Sequence, residues 1–271
     1  MNKKILIICR GGGDLATGIV HRLFRAGFPV LVLETDSPAA IRRQVSFSEA
    51  VYDGTATVEG VTAERIASAN RASVNHVLEE GRVPILVDPE GSSIPLLKPD
   101  IVVDAIIAKK NLGTAKEMAP LVIGVGPGFT AGEDVDLVVE SMRGHNLARI
   151  LETGSALANT GIPGNIGGYT KERVIHAAAE GYMKNLHQIG DVVQKGEEIA
   201  RIYEQMSPDG VFSGRFVSVE ATIPGVLRGL IREGYHFQKG FKIADIDPRE
   251  SELANCFTIS DKARSIGGSV L

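Results

Sequence analysis

The stretch IICRGGGDLATG, residues 7–18, runs from an apolar segment through three glycines into a helical pattern. Gly11-x-Gly13-x-x-Ala16, with Gly12 between, fits the spacing of a dinucleotide-binding fingerprint. Glycine there allows a tight turn and close backbone approach to a diphosphate, and a small third residue lets helix and strand pack closely. Open N–H groups and the dipole at a helix start favour an anion. A second apolar run, Val30–Leu33, ends in Glu34, which lies 21 residues beyond Gly13. That is where a βαβ unit of this kind carries its ribose-binding carboxylate. Asp14 works against a diphosphate through charge repulsion unless it serves the helix N-terminus. Gly11, Gly12, Gly13, Asp14, Ala16 and Glu34 are therefore the first candidates for a nucleotide-type site.

A second group of candidates lies in GVGPGFTAGEDVD (124–136), ESMRGHNLARI (140–150) and TGSALANTGIPGNIGG (153–168). Glycine this dense argues against regular structure and for loops that present backbone N–H groups to an anion. Gly126 and Gly128 would contribute backbone, Arg143 a charge and His145 a titratable ring. Lys109, Lys110 and Asn111 follow an apolar strand and are weaker candidates. Cys9 sits in the first apolar run and Cys256 near the C-terminal tail; neither has the charged setting of a low-pKa thiol. No metal-ligand spacing surrounds them. The residues define no catalytic set.

The elements that must position these groups alternate along the chain. Strands are expected at 5–9, 30–33, 50–52, 83–87, 101–107, 121–125 and 135–139, with a helix over 15–26 and one or two over 63–80. This pattern predicts a doubly wound parallel sheet, a Rossmann-like α/β domain over residues 1–170 with a glycine-rich tail. Beyond it, IGDVVQKGEEIARI (189–202) returns as EGYHFQKGFKIADI (233–246), each matching pair 44 positions apart. Such a repeat predicts an all-β barrel-sandwich hybrid of the biotinyl/lipoyl type over 175–250, followed by a tail over 251–271. The connection between the halves, residues 203–225, contains no lysine, so biotin or lipoyl attachment has no acceptor.

Composition bounds the rest. Of 271 residues, 44% are hydrophobic and 23% charged, with a net charge of −4, the balance of a globular chain with room for two domains. Without a basic block, nucleic acid is not an expected partner. The first apolar stretch is too short for a signal or a membrane span, and the expected location is the cytoplasm.

GGGDLATGIVHRL, VDAIIAKKN, GPGFTAGEDVD, RGHNLARI and NTGIPGNIGG, followed by the paired half-repeats, together resemble YqeB-type proteins of the selenium-dependent molybdenum hydroxylase system. The resemblance covers essentially the whole chain. It implies an accessory role in maturing such hydroxylases, with a nucleotide or molybdopterin-type ligand in the glycine crevice. It also implies partners among the hydroxylases or other maturation proteins. Two other classes fit the same residues: an NAD(P)-dependent oxidoreductase, for which His145 or Lys109 would have to act, and a non-catalytic binding or scaffold module.

Overall fold

The computed structural model describes residues 5–159, 161 and 164–271. The chain forms two compact units. The first comprises Met1–Pro38, Val45–Thr160 and Ile259–Leu271; the second comprises Ala39–Gln44 and Gly161–Thr258. Part of the NTGIPG motif, residues 160, 162 and 163, lies outside the described residues.

The first unit holds strands β1 (Ile7–Arg10), β2 (Val30–Glu34), β3 (Thr55–Val58), β4 (Val61–Ile66), β5 (Val83–Val87), β6 (Ile101–Asp104) and β7 (Leu121–Val125). These are followed by β8 (Thr130–Ala131), β9 (Leu137–Val139), β10 (Ile150–Leu151) and β11 (Gly154–Ser155). Its helices are α1 (Asp14–Arg25), α2 (Ala50–Asp53), α3 (Arg71–Glu79), α4 (Ile94–Leu97) and α5 (Asp261–Val270). Nine strands form one sheet in the order β10-β9-β7-β6-β1-β2-β5-β4-β3. Its central run is parallel, with Ile8 beside Leu31 and Val102. Both faces are covered: Ile7 and Cys9 enter one core cluster, Leu6 and Ile8 another, which is why β1 reads as an unbroken apolar run.

The expected doubly wound parallel sheet is corrected to this mixed sheet. β3 and β4 form an antiparallel hairpin, and β10 closes the other edge antiparallel to β9. The hairpin turns at Glu59 and Gly60, whose φ angles are 44° and 76°; two left-handed residues suit the twist of such a turn. Val61–Glu64 alternates buried and more exposed side chains, a period of two, so strand β4 occupies part of the range expected to be helical, and α3 is confined to Arg71–Glu79. Ala50–Tyr52, expected as a strand, belongs to the short helix α2.

α1 packs its buried Ile19, Val20 and Leu23 into the sheet. On its other side it meets α5 at Gly18, where an added Cβ would stand 2.7 Å from the Cβ of Ala263. Ser260 caps α5 by accepting the Ala263 N–H.

The second unit contains β12 (Val174–His176), β13 (Gly181–Asn185), β14 (Val192–Val193), β15 (Glu198–Met206), β16 (Phe212–Glu220), β17 (Gly225–Leu230), β18 (His236–Phe237) and β19 (Lys242–Asp247). They form two four-stranded sheets, β12-β19-β17-β14 and β16-β15-β13-β18, antiparallel throughout. The expected barrel-sandwich hybrid of the biotinyl/lipoyl type is corrected to this pair of sheets. The reason lies in two strands outside the repeat: β16 lengthens one sheet, and β12, from ahead of the repeat, completes the other. Within the repeat, Gly181 and Gly225 are equivalent: an added Cβ would lie 2.4 Å from the Tyr203 carbonyl oxygen and 2.2 Å from that of Asp247, respectively.

Candidate functional site

The C-terminal ends of the parallel strands in the first unit gather most of the sequence candidates. Gly11 follows β1 with φ of 100° and lies so close to Ala105 that a Cβ would stand 3.0 Å from its carbonyl oxygen. Gly12 donates its N–H to Glu34 Oε2 at 2.7 Å, and Glu34 Oε1 accepts the Thr35 N–H at 2.8 Å. The Gly12 carbonyl accepts from Ser48 N at 2.8 Å and Thr17 Oγ1 at 3.1 Å. Glu34 thus fastens the end of β2 to the glycine loop, and the segment around Ser48 lies over that loop. Burial raises the Glu34 carboxyl above its ordinary range, against the lowering effect of the Thr35 and Gly12 N–H groups. Gly13 caps α1 without a side-chain hydrogen bond, and the space its Cβ would occupy is open. Ala16 is buried behind it.

Beneath the loop is a charged group that sequence reasoning missed. Arg10 Nη1 donates to Thr114 Oγ1 at 2.5 Å, and that hydroxyl donates to Asp104 Oδ2 at 2.6 Å. Arg10 and Asp104 stand 3.7 Å apart, each only 2% exposed. Arg10 also donates to the carbonyls of Pro89 and Leu112, so this pair ties the loops after β5 and β6 to β1 and β6. Burial raises the Asp104 carboxyl, opposed by Thr114, Ile106 N–H and Arg10. The only sequence signal was an acid ending an apolar strand, as Glu34 does. Cys9 is buried between these carboxylates, and burial, then Asp104 and Glu34, push its thiol far up. Burial raises Cys256 as well. Neither is a reactive thiolate.

Gly126 and Gly128 serve loop packing. An added Cβ at Gly126 would stand 2.7 Å from Ser141 Oγ; at Gly128 it would stand 2.7 Å from Lys110 Cα. The strand-end loops are thereby interlocked, and they hold Ile107, Lys109 and Ala148 at φ of 60°, 64° and 66°. Non-glycine residues in this conformation are uncommon and concentrate where function constrains the chain. Asn111 closes the neighbouring turn on Thr114 through its side-chain oxygen and nitrogen, leaving the Lys109 and Lys110 side chains exposed.

Arg143 forms a two-pronged pair with Asp261 at 2.8 and 3.0 Å, so it fixes the start of α5 to the loop after β9. His145 is exposed in that loop. Next to Asp261, Lys262 is half-buried. Its ammonium pKa is lowered by burial and then by Arg143, against Asp14, Glu140 and Asp261. Asp14 and Arg143 are thus brought together around a lysine that no sequence pattern singled out. Glu140 holds its own loop, accepting the N–H groups of Met142 and Leu157. Among the described residues no group of three or more His, Cys, Asp or Glu side chains could hold a metal ion, and no helix is long and apolar enough to cross a membrane.

No family model matches the chain. It is 47% identical over 266 residues to the protein YqeB of Escherichia coli (strain K12), an alignment taking in 98% of this chain and 46% of that protein. The likeness to YqeB-type proteins therefore holds along this chain, which spans less than half the length of that relative. Similar solved structures include a succinylglutamate desuccinylase from a Silicibacter species (12% identity, TM-score 0.27, 91% of this chain and 85% of that one). An aspartoacylase family protein from Mesorhizobium loti aligns at 9% identity and TM-score 0.30, over 91% and 86% of the two chains. A succinylglutamate desuccinylase/aspartoacylase from Rhodobacter sphaeroides does so at 13% and 0.29, over the same shares. Likeness at this level assigns this chain neither their fold nor their activity.

These findings correct the functional expectations. The likeness to YqeB brings no link to selenium-dependent molybdenum hydroxylases. The carboxylate expected at a ribose instead accepts the glycine loop's own N–H. A maturation factor carrying a nucleotide or molybdopterin-type ligand and an NAD(P)-dependent oxidoreductase are accordingly set aside.

Proposed function

We propose that the first unit binds a small anionic metabolite at the C-terminal edge of its parallel strands. The ligand would meet the open N–H face at Gly13 and the cations Lys109, Lys110 and Lys262, with His145 at the margin. The observation that carries this reading is the interlocking of the strand-end loops, which keeps Lys109 left-handed, together with a start of α1 at Gly13 that no side chain caps. Open α/β sheets take ligands at this edge, and a helix start with open N–H groups favours an anion. Arg143 acts by positioning: its pair with Asp261 holds Lys262 in place.

Calorimetry with a panel of small mono- and dicarboxylates and inorganic phosphate tests it. Gly13→Val, which fills the open space at α1, and Lys262→Met should each weaken the best ligand by about tenfold or more, the scale of one charge-assisted hydrogen bond. No saturable binding of any member of the panel, or binding untouched by both substitutions, overturns the proposal.

A further inference from the structure

A strand at the edge of a sheet presents unpaired N–H and C=O groups, and proteins blunt such edges by keeping them short or by placing lysine or proline on them. Among the described residues, the edge strands β3, β8, β10, β11, β12, β14 and β18 have only two to four residues each. β16 departs from this rule. It has nine residues, ends the sheet β16-β15-β13-β18, and contains neither lysine nor proline. Residues 213–218 are exposed in succession, including Phe216 at 45% and Val217 at 41%.

The strand is regular where these apolar side chains lie. Its register with β15 slips between Tyr203 and Gln205, where Gly214 has φ of 81°. Beyond that slip, Phe216, Val217 and Ser218 stand opposite Tyr203, Ile202 and Arg201 without interruption. The second irregularity, between Glu198 and Ala200, adds its extra residue to β15, so β16 runs on unbroken through Val219 to Glu220. Alternation puts Phe216, Ser218 and Glu220 on one face and Val217 and Val219 on the other. Val219 is buried in the core of the unit, so the second face is the inner one.

On the outer face, the Arg201 guanidinium lies over the Phe216 ring, 4.6 Å from its centre. Glu220 stands directly opposite Glu198, and like charges so placed are unfavourable. Glu198 is held by Arg201 and Ser218. Glu220 has no side-chain partner among the described residues.

A second copy of the same strand answers both features. Opposite residues of an antiparallel pair point to the same face, so a two-fold axis relating identical strands must pass through a residue position. With the axis at Ser218, the whole regular stretch is used: Ser218 meets its copy, Val217 meets Val219, and Phe216 meets Glu220. Each Val217 then extends the inner face beside a buried valine. Each Glu220 arrives at the Phe216 ring that carries the other copy's Arg201, a cation it lacks within its own chain.

We propose that β16 pairs antiparallel with β16 of a second copy of this chain, about a two-fold axis at Ser218, joining two four-stranded sheets into one. Backbone hydrogen bonds along the edge supply the attraction, and the valine and Glu220–Arg201 contacts set the register.

Sedimentation velocity of the full chain from about 1 to about 100 μM tests it, with a dimer expected within that range. Val217→Lys puts a charge against Val219 of the second copy and should raise the dissociation constant by at least about tenfold. Thr55→Lys, on the edge strand β3 of the first unit, should leave it unchanged. Opposite residues of an antiparallel pair lie within disulfide reach, so Ser218→Cys should cross-link two chains on mild oxidation. The wild type should not, because Cys9 and Cys256 are both buried. The cross-link keeps the test decisive should Val217→Lys fail to fold. A chain monomeric throughout the range overturns the proposal. So does a dimer that withstands Val217→Lys, or one that Ser218→Cys does not cross-link.

Discussion

Gly128 rests against the backbone of Lys110 so closely that a Cβ on it would lie 2.7 Å from the Lys110 Cα. The loop after β7 and the loop after β6 can share this space only if one residue has no side chain. Gly128 also has φ of 113°. Gly128→Ala should therefore cost about 1–3 kcal/mol from backbone strain, with the clash adding to it. Gly132, at φ of 88° with open space around its Cβ position, provides the control for strain alone. Urea unfolding of the two alanine variants measures the difference, and equal losses would contradict the packing role of Gly128.

The Arg10–Asp104 pair sets a second expectation. Asp104→Ala leaves a buried guanidinium without its carboxylate, a loss of about 3–5 kcal/mol for such pairs. The double variant Arg10→Met/Asp104→Leu should recover part of that loss because no lone charge remains buried. Denaturant midpoints of the single and double variants decide it; a double variant less stable than Asp104→Ala would show that the pair contributes more than mutual neutralisation.

Glu34 gives a pH dependence. Its folded-state pKa is raised by burial, so its contribution to stability is fully present below the unfolded value and is lost as pH rises through the folded one. The window begins just above the ordinary carboxylate range of about 4. Glu34→Gln removes the titration while keeping a side-chain oxygen for the Gly12 N–H. Between about pH 5 and about pH 8 the melting temperature of the wild type should fall relative to that of the variant. A constant difference, or one that closes as pH rises, would contradict the assignment.

The sequence reading and the structure part company at identifiable places. The central strands were legible because both their faces are buried, which forces continuous apolar runs at Leu6–Cys9 and Val30–Leu33. β4 was not, since its alternation in VTAERI was read together with the helical residues after it. At the candidate site, the spacing of Glu34 from the glycines was visible, but not that the two bond to each other. Gly126 and Gly128 were visible as glycines, yet the Ser141 and Lys110 atoms that require them come from loops separated in sequence. Lys262 escaped notice because its neighbours Asp14, Glu140 and Arg143 meet it only after the chain has folded. A bulge at Arg228, between the Leu227–Ile246 and Gly229–Asp245 pairs, leaves no trace in the repeat, which keeps its 44-residue offset on both sides of it.

α5 belongs to the first unit, and all of the second unit is translated before it. On the ribosome, α1 therefore waits with the groove at Gly18 uncovered while residues 161–258 are synthesised. The face that Ala263 and Gly267 will occupy stays wet until α5 emerges. Lys262, and its bond of position to Arg143 through Asp261, arrive with that helix. The loop edge proposed to hold a ligand is thus completed only after the chain between its two halves is made.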